Sequence, residues 1–210
     1  GPDHHNLGAG FLEAIIGMRT FEDDMGALIR GAMEKLGAEI RTSTPLEGIE
    51  EAGGRYRVQT ASGSIETDVV VLAMGSAPQV ELAGASGLPL GGTGAVAVDK
   101  GQRTRVEGVF SAGDCAEMYH PLLETWVNFH LGTLANRTGR VAGINAAGGN
   151  AEFPGALGSA VSRIGEVEVG RTGLTEREAK EAGMSVRAAR IESWTRAHYF
   201  HGARKAHVKL

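Results

Sequence analysis

The chain has 210 residues and a formal net charge of −4, with 42% hydrophobic and 22% charged residues. This composition is typical of one large or two small globular domains, and the 21 Lys and Arg residues are scattered rather than clustered, which argues against nucleic acid as a partner. No apolar run reaches the roughly 18 residues that a membrane-spanning helix needs, so we expect a cytoplasmic protein without a membrane partner.

The first half of the chain predicts a helix followed by strands. Over residues 21–37, apolar side chains recur at helical spacing, acids occupy the first turn and Gly37 ends the pattern. Short strand patterns follow on both sides of a Gly-Gly turn, the second of them YRVQT. The apolar run 69–73 then predicts a strand buried on both faces, as in a mostly parallel sheet.

The second half of the chain alternates short strands with two helices. AVAV and GVFSAGD read as strand segments, and a helix is predicted from near Thr133 to the glycines at 148–149. The composition changes between residues 149 and 156, where we place a domain boundary. Beyond it, Thr175 and Glu178 form a capping-box pattern at the start of a short helix, flanked by strand-like segments.

The stretch GVFSAGDCAE, residues 108–117, carries the strongest chemical signal. An apolar strand enters a turn of small residues that ends in Asp114. Gly113 has no Cβ, so a ligand can approach the backbone, and the Asp114 carboxylate can accept hydrogen bonds from ribityl or ribose hydroxyls of a flavin nucleotide. The alternative is an ordinary turn in which Asp114 caps a helix.

Four segments in order give this signal a family context. The segments are TDVVVLAMGSAPQ, GVFSAGDCAE, ANRTGRVAGINAAGG and FPGALGSAVSRIGEVEVGRTGLTEREAKEAG. Together they resemble the pyridine nucleotide-disulfide oxidoreductase superfamily of FAD-dependent enzymes. Within it the likeness is greatest to the coenzyme A-disulfide reductase and NADH oxidase group. The resemblance spans roughly residues 20 to 210.

The resemblance implies an α/β fold made of partial FAD- and NAD(P)-binding, doubly wound (Rossmann-like) domains and the start of an α+β dimerisation domain. Residues 1–76 correspond to a partial NAD(P)H-binding domain, 77–149 to the C-terminal part of the FAD-binding domain, and 152–210 to the N-terminal part of the dimerisation domain. The implied cofactors are FAD and NAD(P)H. The implied partners are a small-molecule disulfide, such as coenzyme A disulfide, or oxygen as electron acceptor, and a second copy of the chain in a homodimer.

The resemblance also assigns roles to individual residues. Asp114 corresponds to the acid on the FAD ribityl chain, Gly113 to the close-approach glycine, and Gly75 to the turn that leads out of the nicotinamide domain. Tyr199 corresponds to a tyrosine that faces the partner subunit's active site. The remaining expected cofactor-binding residues are the small residue before Gly113 and the helix start that points at the flavin ring: Ala112, Thr133, Leu134 and Ala135.

Several features depart from the family pattern. The sequence shows neither the first Gly-rich FAD fingerprint nor the redox cysteine, and its nicotinamide fingerprint keeps Gly8 and Gly10 but has Glu13 in place of the third glycine. The single cysteine, Cys115, is expected to be structural, and no metal site is expected among the unevenly spaced histidines. The alternative function is therefore a non-catalytic remnant or dimerisation module that has lost dinucleotide binding.

Overall fold

A computed structural model describes residues 21–210 of the chain. The degenerate glycine pattern at Gly8 and Gly10 lies outside these residues. The described elements are four α-helices and nine strands: α1 (Asp23–Glu34), β1 (Leu46–Ala52), β2 (Arg55–Thr60), β3 (Gly63–Thr67), α2 (Glu81–Ala85), β4 (Met118–His120), β5 (Thr125–Val127), α3 (Gly132–Ala146), β6 (Ala160–Ile164), β7 (Val167–Arg171), α4 (Glu176–Glu181), β8 (Arg190–Trp194) and β9 (Lys205–Lys209).

Short hairpins account for all the strand pairing among these elements. One sheet has the order β1-β2-β3, and three two-stranded sheets are formed by β4-β5, β6-β7 and β8-β9, each pair antiparallel. The only parallel pairing in the described residues is an isolated bridge between Val96 and Ala116. That bridge brings the AVAV segment beside Ala116, which follows GVFSAGD. The strands predicted over AVAV and GVFSAGD do not form, because these segments make only isolated bridges: Leu90–Val96, Val96–Ala116 and Arg103–Phe110.

The expectation of a buried strand over residues 69–73 is wrong. The segment has no regular structure, and its apolar side chains are exposed, with Val71 77% and Leu72 63% accessible. A strand of a parallel sheet requires neighbours that pair with its backbone and cover both faces. Within residues 21–210 no strand pairs with this segment, so its hydrophobic sequence alone does not bury it.

The predicted helices form where their sequence patterns placed them. In α1 the apolar positions Ile29 and Met33 are buried, as the helical spacing predicts. In α4 the hydroxyl of Thr175 accepts a hydrogen bond from the Glu178 backbone N–H at 3.1 Å, and the Glu178 carboxylate accepts one from the Thr175 N–H at 2.7 Å. The capping box read from the sequence is therefore confirmed.

The largest core cluster lies between α3 and the segment that follows it. Met118, Leu134, Val141, Phe153 and Ala156 are all buried there. A second, smaller cluster consists of Val98 and the two residues of the parallel bridge, Val96 and Ala116. Together the two clusters fix the Gly113 turn between the bridge and the start of α3.

A lysine at the end of the last strand connects the two ends of the described chain. The Lys209 ammonium pairs with Glu22, lies 3.4 Å from an Asp24 carboxylate oxygen and lies 3.3 Å from a Glu176 carboxylate oxygen. Hydrogen bonding to Glu22 raises the pKa of Lys209, although partial burial opposes the shift. The lysine thereby holds the start of α1 and of α4 against β9.

Candidate functional site

The Gly113 turn packs directly on helix α3. A single 3₁₀ turn covers Gly113–Cys115, and Gly113 has φ +75°, a conformation that side-chain-bearing residues rarely adopt. Its backbone N–H donates to the Thr138 hydroxyl at 3.0 Å, and that hydroxyl donates to the Leu134 carbonyl at 2.9 Å. Thr138 is fully buried, so this hydroxyl joins the turn to the helix in a site closed to water.

The Asp114 side chain takes no part in these two hydrogen bonds. The residue is exposed, and none of the described residues donates a hydrogen bond to its carboxylate. The 3₁₀ turn has Ala112 at its N-cap position without a side-chain capping bond, so the alternative reading of Asp114 as a capping residue fails. The carboxylate is therefore open to a ligand with hydroxyl or N–H donors.

The start of α3 presents free backbone donors beside this turn. The helix begins at Gly132, one residue earlier than predicted, and the N–H groups of Leu134 and Ala135 both bond to the Leu131 carbonyl at 2.9 Å. Within the described chain, the N–H groups of Gly132 and Thr133 have no acceptor. The open donors are therefore these two residues, whereas the Leu134 side chain belongs to the core.

The structure brings Gly113 and Ala135 together and holds the residue after Gly75 near the start of α3. Gly113 lies against Ala135, because a Cβ built on Gly113 would stand 3.5 Å from the Ala135 Cβ. Gly75 has φ +93°, and the next residue, Ser76, hydrogen-bonds the Nδ1 atom of His130, two residues before α3 begins. The hydrogen bond between Ser76 and His130 thus holds the segment that follows residues 69–74 near the start of α3.

Sequence analysis missed two side chains at this site. Asn128 donates to the carbonyls of Asp114 at 3.0 Å and Ala116 at 2.9 Å, and its Oδ1 lies 2.6 Å from the His130 Nε2. The available signal was their spacing: polar residues two apart in an extended segment lie on the same side of the chain. Their role depends on carbonyl groups elsewhere in the chain, which spacing does not reveal.

Tyr199 is not part of this cluster. It lies between β8 and β9, is 77% exposed, and its ring contacts His198 edge-on and Phe200 at a tilt, both with centroids 5.5 Å apart. Cys115 is half-buried, and its Sγ donates to the Ala112 carbonyl at 3.4 Å. Among residues 21–210, no three His, Cys, Asp or Glu side chains are placed to hold a metal ion together.

A buried histidine, His120, lies at the end of β4. His120 is 2% exposed, and its Nδ1 accepts a hydrogen bond from the Leu123 N–H at 3.2 Å. Burial lowers the pKa of His120, and the charge of Glu178 opposes the shift while that of Arg171 reinforces it. The imidazole is therefore held neutral with its proton on Nε2.

The fold and the site together indicate a class of ligand-binding protein. An α/β chain in which a glycine–acid turn meets the open N-terminus of a helix is typical of dinucleotide-binding proteins. The chain belongs to the pyridine nucleotide-disulphide oxidoreductase family, whose sequence profile matches residues 12–138. None of the helices in the described part of the chain has the length and apolar character needed to cross a bilayer.

Individual relatives agree with this assignment. The chain is 37% identical over 191 residues to the NAD(P)H coenzyme A polysulfide/persulfide reductase of Pyrococcus horikoshii, covering 91% of this chain and 43% of the relative. It is 33% identical over 195 residues to the NADH oxidase of Methanocaldococcus jannaschii, with the same two coverages. The chain thus spans less than half the length of both curated relatives.

The solved structures confirm the predicted fold class. The structure of a NAD-dependent persulfide reductase from A. fulgidus superposes with a TM-score of 0.86 at 34% sequence identity. The match covers 90% of this chain and 35% of that chain. This chain therefore spans about a third of that protein's length.

Proposed function

We propose that this chain is part of a FAD-dependent oxidoreductase that takes hydride from NAD(P)H and passes it to a disulfide, such as coenzyme A disulfide, or to oxygen. The observation that carries the proposal is the open Asp114 carboxylate beside the two unbonded N–H groups at the start of α3. The relatives named as a persulfide reductase and as an NADH oxidase support the two acceptor classes.

The residues at the turn fit the flavin part of FAD. The Asp114 carboxylate would accept a hydrogen bond from a ribityl hydroxyl, and Gly113, which lies against Ala135, has no side chain to stand between its backbone and the ligand. The N–H groups of Gly132 and Thr133, at the positive end of α3, would face an electron-rich edge of the flavin ring. Bound FAD supplies the hydride-accepting ring, and these residues hold and orient it.

The C-terminal segment supplies the proposed dimer and acceptor contacts. Residues 152–210 are assigned to a dimerisation domain, with 1–76 assigned to the NAD(P)H-binding part and 77–149 to the FAD-binding part. Trp194, Tyr199 and Phe200 are exposed there, at 44%, 77% and 60%. We propose that this surface meets a second copy of the chain and that Tyr199 faces the partner's acceptor site.

The same exposed aromatic side chains favour the second candidate, a dimerisation module that does not bind dinucleotides. The two functions differ in whether the chain takes up flavin. FAD is titrated into the purified 210-residue chain and followed by the change in flavin fluorescence, and any bound flavin is tested for bleaching by NADH without oxygen. A folded dimer that binds no FAD would support the second candidate over the first.

Asp114→Ala tests the assigned site, with Glu107→Ala as its control because Glu107 is another exposed acid without a hydrogen bond from the described residues. A hydrogen bond to a charged group contributes roughly 1.5–3 kcal/mol. Asp114→Ala should therefore weaken FAD binding about ten- to a hundredfold, while Glu107→Ala leaves it unchanged. Equal affinity in both variants would remove Asp114 from the flavin site.

A further inference from the structure

A continuous chain of hydrogen bonds runs from the segment after Gly75 to the Asp114 turn. The Ser76 hydroxyl bonds His130 Nδ1, His130 Nε2 lies 2.6 Å from Asn128 Oδ1, and the Asn128 amide reaches the Asp114 carbonyl at 3.0 Å. It also reaches the Ala116 carbonyl at 2.9 Å. Three side chains thus connect two backbone segments that are far apart in sequence.

The chemistry of the groups fixes the direction of the bonds at Asn128. Both backbone carbonyls can only accept, so the Asn128 NH₂ group faces them and its Oδ1 faces His130. Because Oδ1 also only accepts, His130 Nε2 carries a proton and donates to it. In the arrangement considered below, the other ring nitrogen, Nδ1, accepts from the Ser76 hydroxyl. All donors point the same way, an arrangement in which hydrogen bonds polarise and strengthen one another.

Few other contacts fix the segment around Gly75 that these hydrogen bonds hold. Residues 69–74 are unpaired, and Met74 is 71% exposed. A Cβ on Gly75 would meet nothing within 4 Å. Within the described residues, the Ser76–His130 bond is the only hydrogen bond that joins residues 70–78 to the rest of the chain.

We propose that His130 and Asn128 are positioning residues that latch the segment 73–76 onto the Asp114 turn at the start of α3. Asn128 holds the two carbonyls that flank the turn, and His130 transmits its position to Ser76. The consequence for flavin rests on the proposed function of Asp114: the latch fixes the carboxylate and the segment arriving from the nicotinamide half relative to one another. The latch itself does not depend on that function.

Two substitutions of His130 separate the arms of the latch. Glutamine places an amide near the position of Nε2 and keeps the bond to Asn128, whereas asparagine places a polar atom near Nδ1 and keeps the bond to Ser76. Ser76→Ala removes the same arm as His130→Gln. Ser86→Ala is the matched control, because Ser86 is an exposed serine without a side-chain hydrogen bond to the described residues.

Thermolysin cleavage of the native 210-residue chain measures the freedom of residues 69–76, which contain exposed Val, Leu and Met residues. Ser76→Ala and His130→Gln should each speed cleavage about two- to tenfold, the effect of losing one hydrogen bond. The double variant should be no faster than either single variant, because both remove the same bond. His130→Asn and Ser86→Ala should cleave at the wild-type rate.

Two further readouts distinguish a latch from general destabilisation. The ¹⁵N spectrum of the His130 ring should show Nε2 as the protonated nitrogen, and a proton on Nδ1 would contradict the chain of bonds. Asn128→Asp sets a carboxylate against the Asp114 and Ala116 carbonyls and should weaken FAD binding about tenfold or more. Unchanged cleavage in every variant overturns the latch; unchanged FAD binding in Asp114→Ala alone overturns the flavin role and leaves the latch standing.

Discussion

Replacing Thr138 with valine removes the hydroxyl that fastens the Gly113 turn to α3. Valine has nearly the same shape as threonine, so the substitution leaves no cavity in this fully buried site. The Leu134 carbonyl keeps its partner in the α-helical ladder. The Gly113 N–H, 3.0 Å from the hydroxyl in the wild type, loses its acceptor in a site closed to water.

The expected cost follows from that single unsatisfied donor. A buried polar group left without a partner costs about 1–3 kcal/mol. For a chain of this size, each kcal/mol lowers the unfolding midpoint by roughly 2–4 °C, so the midpoint of Thr138→Val should fall by about 2–12 °C. FAD binding should weaken as well, because the Asp114 turn is no longer held against the helix.

Thermal unfolding followed by circular dichroism measures the stability change, and FAD titration measures the change at the site. Thr138→Ser is the matched control, since it keeps the hydroxyl and loses only a methyl group; it should retain wild-type affinity for FAD. A Thr138→Val variant that unfolds at the wild-type temperature and binds FAD as well as Thr138→Ser would refute the role of this hydroxyl.

Three further predictions concern stability. Burial lowers the pKa of His120 in the folded chain, so the unfolded chain binds a proton at this residue more readily. The stability should therefore fall as the pH drops from 7 through the unfolded-state pKa of about 6.5. Thermal midpoints across that pH range should vary less in His120→Asn than in the wild type. Gly155→Ala should lower the free energy of unfolding by more than about 1 kcal/mol, because φ is +126° and a Cβ would stand 2.7 Å from a backbone carbonyl oxygen. Gly143→Ala should raise it by roughly 0.5–1 kcal/mol, because Gly143 lies inside α3 with open space around it. Urea titration of both variants measures the two changes. Lys209→Met should lower the thermal midpoint at pH 7 more than Lys205→Met, whose ammonium is more exposed, and the difference should shrink as acid protonates the partner carboxylates. Equal midpoints for the two lysine variants at pH 7 would contradict the role of the cluster.

The local elements could be predicted from the sequence because their signals are local. The capping box at Thr175 and the small-residue turn ending in Asp114 each depend on neighbours within a few residues, and both form as expected. The helix predicted from near Thr133 begins at Gly132, and the N–H groups of Leu134 and Ala135 bond to the Leu131 carbonyl. The open N–H groups are therefore those of Gly132 and Thr133.

The errors arose where an outcome depends on distant parts of the chain. The apolar run 69–73 has the composition of a buried strand, but burial requires strands that pair with it, and the sequence of the run does not specify them. Likewise, Asn128 reads as an ordinary polar residue until the Asp114 and Ala116 carbonyls are placed beside it. Pattern alone identifies the turn, whereas the side chains that hold it depend on tertiary contacts.

The central claim is that FAD binds at the Asp114 turn and the start of α3. The most direct test is a titration of the ¹⁵N-labelled 210-residue chain with FAD, followed by the backbone amide signals in two-dimensional NMR spectra. The account predicts that the signals of Gly113, Asp114, Gly132 and Thr133 shift with FAD concentration while those of β1 to β3 stay in place. Saturable FAD binding that leaves these four amides unchanged, or no binding at all, would contradict the account.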